Sequence, residues 1–230
     1  MRFDVLTLFP ELINSHLDYS IMKRATDEGV FDVNAVNPRD FTLDKHKKVD
    51  DTPYGGGAGM VLMPQPYIDA YNSVEKLENS ITLMMTPQGD PFTDQISNEL
   101  ANYNQIIILC GHYEGFDERI RTIIKPREIS IGDFVLTGGE LPALCVIDSV
   151  SRKIEGTLGK IESAHDDSFS DGLLEYPQYT KPREYMGLKV PDVLLNGNHK
   201  LINEFRMEQK IQRTKTKRPD LYEKWLKENK

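Results

Sequence analysis

Long apolar runs are missing from this chain. The longest, such as Ile106–Cys110, fall far short of the roughly 20 residues a membrane-spanning helix needs. A basic opening followed by a long apolar stretch is missing too; Met1 to Phe9 reads as a strand, not a leader. Both absences lead to the expectation of a cytoplasmic protein with no membrane association. Cysteine is scarce. Cys110 and Cys145 are the only two, both in apolar surroundings without CxxC spacing, so two buried, reduced thiols are expected and no disulfide framework. The five histidines (His16, His46, His112, His165, His199) are scattered without metal-ligand spacing, which gives no reason to expect zinc.

Positive charge is also short. Lysine and arginine total 28 against 36 acidic residues, a net charge of −8 over 230 residues. The deficit is uneven. Lys200–Lys230 hold ten basic and five acidic residues, so this end carries +5 and the remainder −13. An acidic body argues against polyanion binding by the whole surface but leaves room for a local anion site. With 39% hydrophobic residues spread in blocks, the chain has enough apolar material for a core, and disorder is excluded.

What is present reads as an α/β protein. Phe3 to Phe9 is strand-like and stops at Pro10; residues 11–28 carry Leu12, Ile13, Leu17, Ile21 and Met22 at helical spacing; Val30–Val36 alternates again. Asn37 to Met60 has no period. Helices are expected at 66–74, 92–100, 116–124 and 140–154, and strands at 81–85, 106–110 and 129–135. Strands alternating with helices imply a mostly parallel sheet, and the unbroken runs 81–85 and 106–110 suit central strands buried on both faces. Composition shifts after Gly159, and a helical end begins near Asn198. A boundary near residues 160–170 is therefore expected, separating the body from a small C-terminal helical domain.

In parallel sheets, ligands bind beyond the carboxyl ends of the strands. Here those ends are Thr86-Pro87-Gln88-Gly89, Gly111-His112-Tyr113-Glu114-Gly115 and Leu136-Thr137-Gly138-Gly139-Glu140, three glycine-bearing turns that let backbone approach a ligand. The densest glycine run, Pro53 to Met60, is neither a Walker A loop nor GxGxxG; a flexible surface turn is the plain alternative to phosphate contact. Lys45-His46-Lys47-Lys48 beside it favours phosphate. His165-Asp166-Asp167-Ser168 has the residue types of a hydrolase triad. Neighbours in sequence seldom converge as a triad does, and no GxSxG elbow exists, so hydrolysis is set aside. On the C-terminal helix Arg206, Lys210, Arg213 and Lys217 fall on one face, as either a packed amphipathic surface or a phosphate-tracking stripe.

At these same motifs the chain resembles the bacterial tRNA (guanine(37)-N(1))-methyltransferases, nearly end to end and with motif order intact. The matching stretches include Asn37–Phe41, Lys45–Met60, Pro87-Gln88-Gly89, Cys110–Arg119, Ile131–Pro142, Asp167–Leu174 and Gln178–Pro182. The resemblance implies a SPOUT fold: a mostly parallel α/β body with a deep trefoil knot over 1–160, a loop over 161–170 and a helical tRNA-binding domain over 171–230. It implies S-adenosyl-L-methionine as methyl donor, magnesium as a candidate cofactor, and a homodimer whose active site is shared between subunits. By position, Pro87, Gly111, Tyr113, Glu114, Ile131, Gly132, Asp133, Phe134, Val135, Leu136, Gly138 and Gly139 would line the donor site. Asp167 matches the general base, Arg152 the catalytic arginine, and Asp50 and Gly59 positions that contact tRNA. His112 stands where many members carry arginine, and Glu155 where proline is common. The competing expectations are a knotted enzyme acting on ribose or another base, and a non-catalytic RNA-binding module.

Overall fold

The computed structural model describes residues 1–158 and 167–229. The chain divides into two compact units, Met1–Gly159 and Lys160–Lys230. Ser163–Asp166 of the His–Asp–Ser stretch, and most of the expected 161–170 loop, lie outside the described residues.

The first unit is built on five parallel strands: β1 (Arg2–Leu6), β2 (Asp32–Val36), β5 (Ser80–Pro91), β6 (Gln105–Cys110) and β7 (Arg127–Ser130), in the order β2-β1-β6-β5-β7. Two short strands, β3 (Asp50–Asp51) and β4 (Val61–Leu62), pair separately. The mixed α/β class and its parallel sheet are as expected. Every residue of β6 is buried, which fits a strand with helices over both faces. The helices are α1 (Pro10–Leu17), α2 (Ser20–Asp27), α3 (Pro64–Ser73), α4 (Asp94–Leu100), α5 (Glu118–Ile124) and α6 (Glu140–Ser151). Two apolar clusters result. One holds Phe3, Val5, Ile106, Ile108, Val146 and Ile147; the other holds Leu6, Tyr67, Met84, Ile107, Leu109 and Phe116.

Four local expectations are corrected. The helix over 11–28 is two helices, since Ser20 takes a left-handed φ of 56° and breaks the run. The strand at 81–85 continues to Pro91, but its pairing with β7 shifts register between Met85 and Asp90, so residues 86–89 bulge out of the ladder. The strand expected at 129–135 ends at Ser130, and residues 131–139 run as an irregular loop into α6. Cys145 is exposed, while Cys110 is buried as expected. Leu141, Cys145, Asp148 and Arg152 fall at helical spacing on the outward stripe of α6, whose inward stripe is Ala143, Leu144, Val146, Ile147 and Val150.

The two ends of the sheet differ. At the amino ends a polar network is closed: buried Asp4 accepts from Arg2 (2.8 Å), Gln105 (2.6 Å) and Asn34 (3.0 Å). At the carboxyl ends a cleft lies beside a second buried carboxylate, Glu140.

The second unit contains the hairpin β8 (Glu184–Tyr185) and β9 (Leu188–Lys189), then α7 (His199–Lys217) and α8 (Pro219–Glu228). The Asn198 side chain caps α7 by accepting from Leu201 N (3.3 Å), and Pro219 opens α8.

Candidate active site

Segments from three strands converge on one cleft of about 320 Å³, a size within the range of small-molecule sites. The β5 bulge supplies Thr86, Pro87 and Gln88; the turn after β6 supplies Gly111 to Phe116; the loop after β7 supplies Ile131, Gly132 and Phe134 to Gly139. Of the donor-site residues expected from the sequence, all line this cleft except Asp133, which is exposed and outside it.

Glycine is needed here for close approach. Gly139 has an ordinary φ of −82°, yet a Cβ on it would sit 2.8 Å from Cys110 Cα and 2.9 Å from Gly111 N. Its N–H donates to Gly111 O at 2.9 Å, so the loop after β7 lies directly against the end of β6. A Cβ on Gly138 would meet the His112 ring at 2.3 Å and Glu140 Oε2 at 2.5 Å. One on Gly111 would meet the Phe116 ring at 2.8 Å, and one on Gly132 the Phe134 ring at 2.6 Å. Side chains at 111, 132 and 138 would collide with rings, and one at 139 with backbone.

A buried carboxylate ties the turns together. Glu140, the first residue of α6, is 2% exposed. Its Oε1 accepts from the Thr7 hydroxyl at 2.6 Å, and its Oε2 lies 2.7 Å from His112 Nε2. The His112 ring is tilted against Phe9, with centroids 4.8 Å apart. Sequence reasoning named His112 as a departure from arginine and missed Glu140, to which its Nε2 is hydrogen-bonded. The nearby Cys110 thiol is pushed well above its usual pKa, first by burial and then by Glu140, which keeps it protonated and inert.

The glycine-rich segment borders the cleft. Glu114 N donates to Met60 O (2.9 Å), Leu62 N to Gly115 O (2.9 Å) and Asp117 N to Leu62 O (3.0 Å). Gly59, with φ of +84°, leaves the space Glu114 occupies; an added Cβ would fall 2.3 Å from Glu114 Oε1. Asp50, half-buried on β3, pairs in register with Leu62. The basic stretch beyond it is exposed from Lys45 to Lys48, and its loop is closed by Asp44, which accepts from His46 N (2.8 Å) and Lys48 N (3.2 Å). Those two N–H groups, the Lys48 one first, lower the Asp44 pKa.

Arg152 does not line this cleft. It caps the C-terminal end of α6 and borders a second hollow of about 440 Å³ with Leu12, Tyr19, Ile21 and Leu144. Asp167 is half-buried at the first described position of the second unit, where its carbonyl accepts from Ser170 N (3.3 Å) and Ser170 Oγ (2.8 Å).

The expected basic stripe is corrected. Lys210 is 5% exposed and its Nζ is bonded to Asp171, while the Arg206 guanidinium lies 4.6 Å from the Tyr176 ring centroid. The inward face of α7 holds both. Arg213 is half-buried and Lys217 exposed. The spacing was read correctly, but spacing alone does not say which way a face turns.

Among the described residues no helix is long and apolar enough to cross a membrane, and no three His, Cys, Asp or Glu side chains are grouped to hold a metal ion.

Residues 1–224 match the family described as tRNA (Guanine-1)-methyltransferase TrmD. A tRNA (guanine-N(1)-)-methyltransferase of Staphylococcus epidermidis is 53% identical over 225 residues, covering 98% of this chain and 92% of that protein. One from Staphylococcus aureus (strain JH9) is 55% identical over the same length and coverage. With a parallel α/β sheet, a glycine-lined cleft at its carboxyl ends and a match over nearly its whole length, this chain belongs to the tRNA (guanine-1)-methyltransferase family.

Proposed function

We propose that this chain transfers a methyl group from S-adenosyl-L-methionine to N1 of guanosine 37 in tRNA, with Asp167 as general base and Arg152 as the cation that stabilises charge on guanine O6. The observation that carries the donor assignment is the cleft itself, where segments from three separate strands converge and glycines at 111, 132 and 138 stand where a Cβ would collide with Phe116, Phe134 and His112. When bound there, S-adenosyl-L-methionine supplies a methyl group on a positively charged sulfonium.

Guanine N1 carries a proton at neutral pH and is a poor nucleophile until it loses it. The Asp167 carboxylate would take that proton, and the electron pair left on N1 would form the new bond to the methyl carbon as that carbon's bond to sulfur breaks, its pair leaving with the neutral thioether S-adenosyl-L-homocysteine. Loss of the proton moves negative charge to O6, where the Arg152 guanidinium offers a fixed positive partner. Holding base and donor in line removes much of the entropic barrier. The guanine must leave its stack to enter such a pocket. Asp50 and Gly59, on the segment that borders the cleft, and Arg213 and Lys217 on α7 are the remaining candidates for tRNA contact. Magnesium is assigned no ligands in this chain.

The active site is shared in a homodimer on this reading. Support comes from the outward stripe of α6, where Leu141 and Cys145 are exposed on the helix that ends in Arg152, beside exposed Leu12 and Ile21. A partner covering that face would bury apolar surface and close the hollow at Arg152. The loop 131–139, lying against the end of β6, is consistent with the trefoil knot of SPOUT proteins. The reaction belongs in the cytoplasm.

The test is nucleoside mass spectrometry of a tRNA pool incubated with the protein and isotopically labelled donor. Label in 1-methylguanosine at position 37 is expected. Label in a ribose-methylated nucleoside, or none, would overturn the assignment.

A further inference from the structure

The turn that carries Asp167 is gripped from two sides. Lys210 on α7 is buried and bonded through Nζ to Asp171 Oδ2. One helical turn later, fully buried Thr214 donates its hydroxyl to Lys210 O at 2.7 Å and accepts from Leu174 N at 2.8 Å. Residues four apart share a helix face, so α7 holds the segment at two successive points. From α8, Trp225 closes the other side: a Cβ added to Gly172, whose φ is +81°, would lie 3.4 Å from its Cδ1.

Between these anchors the turn closes on itself. Phe169 N donates to Leu173 O at 2.7 Å, and Glu175 N to Ser168 Oγ at 3.0 Å. Leu173 N donates to Asp171 Oδ1 at 3.2 Å, so Asp171 joins the turn to the lysine with its two oxygens. Phe169 sits at φ 79°, a left-handed conformation that a bulky residue keeps only where its surroundings enforce it.

Phosphate contact does not explain Lys210. Its ammonium group is withdrawn from water and already paired, and releasing it would leave Asp171 without its partner. A buried lysine is costly unless it is matched, so a matched one fixes a geometry that surface pairing would not.

We propose that Lys210 is a positioning residue for methyl transfer: with Thr214 it clamps the Asp167 turn and so sets where the carboxylate is presented. This rests on Asp167 being the general base. The clamp acts on the catalytic step and not on donor or tRNA affinity.

The test is steady-state kinetics on full-length Lys210→Met, Lys210→Arg, Thr214→Val and Asp167→Asn, with tRNA binding measured against salt. Lys210→Met should lower kcat on the order of 10- to 10²-fold, the scale of a misplaced catalytic group, with KM for donor and tRNA unchanged. Lys210→Arg, which keeps the buried cation, should recover most of that loss. Thr214→Val should lower kcat in the same direction. If Lys210→Met does not fold, Thr214→Val and the uncharged pair Lys210→Gln with Asp171→Asn decide the matter, the pair being expected to turn over faster than Asp171→Asn alone. Wild-type kcat in folded Lys210→Met or Thr214→Val, with Asp167→Asn inactive, would overturn the clamp and leave the base standing. A rise in KM for tRNA with a salt slope lower by about one unit and unchanged kcat would return Lys210 to a phosphate contact. Full activity in Asp167→Asn would overturn the base, and the clamp with it.

Discussion

The two units of this chain build their working parts from different materials. In the first, the cleft is made of backbone: segments from three strands, with glycines where a Cβ would collide with Cys110, His112 or Phe134. In the second, the Asp167 turn is held by side chains, a buried lysine paired with an exposed aspartate and a threonine that uses both its donor and its acceptor. On the proposed reading the difference suits two tasks, donor binding in the first unit and proton abstraction in the second. Holding a donor needs a rigid surface that a large molecule can approach closely. Presenting a base needs one carboxylate aimed correctly. The comparison also predicts how each part fails: the cleft by steric collision, the turn by misalignment.

The largest effect is expected at Asp167. Asp167→Asn should lower the rate of methyl transfer by at least ~10²-fold, the lower end for a positioned base, while calorimetric binding of S-adenosyl-L-methionine stays at the wild-type value. A mutant that loses donor binding as well would blur the division between the units. Gly139→Val comes next and strikes the other unit. Its side chain has the backbone of Cys110 and Gly111 within 3 Å of Cβ, so donor affinity should fall at least tenfold, on the order of 1.4 kcal/mol or more. Calorimetry on a variant with wild-type circular dichroism is the check; unchanged affinity would mean the turn yields without harm.

Much of the first unit could be read from residues alone, because glycines after apolar runs mark the carboxyl ends of buried strands. Asp133 is the exception on the cleft: it shares the loop with its neighbours but its side chain lies outside. Glu140 escaped notice because an acid at the first position of a helix is ordinary, and its partners Thr7 and His112 come from distant segments. The second unit resisted in the same way. Lys210 keeps the spacing of a surface stripe, and only the fold shows that this face turns inward onto Asp171. Cys145 looked buried because its neighbours in sequence are apolar, yet it occupies the outward stripe of α6. Apolar composition reports that a helix is packed; it does not report which side.

Smaller effects sharpen the contrast. Arg213→Ala and Lys217→Ala should each lower the salt slope of tRNA binding by about one unit without changing donor affinity, measured by filter binding at several salt concentrations. Unchanged slopes would leave α7 a structural helix throughout. The smallest effect concerns the thiols. Cys145, exposed on the single chain, should react with iodoacetamide once the dimer is diluted to monomers, while Cys110, buried and with its pKa raised, reacts only after unfolding. Peptide mass spectrometry reads both sites, and protection of Cys145 that vanishes on dilution would mark the α6 stripe as the dimer face.

The central claim is that donor turns of one subunit work with the Asp167 turn of its partner. Mixing Asp167→Asn protein with Gly139→Val protein, after verified subunit exchange, tests this directly. In the mixed dimer one site carries both defects and the other carries neither, so at sub-saturating donor methyl transfer should rise well above that of either parent. The absence of such a rise in the exchanged mixture would contradict the account and place cleft and base within a single chain.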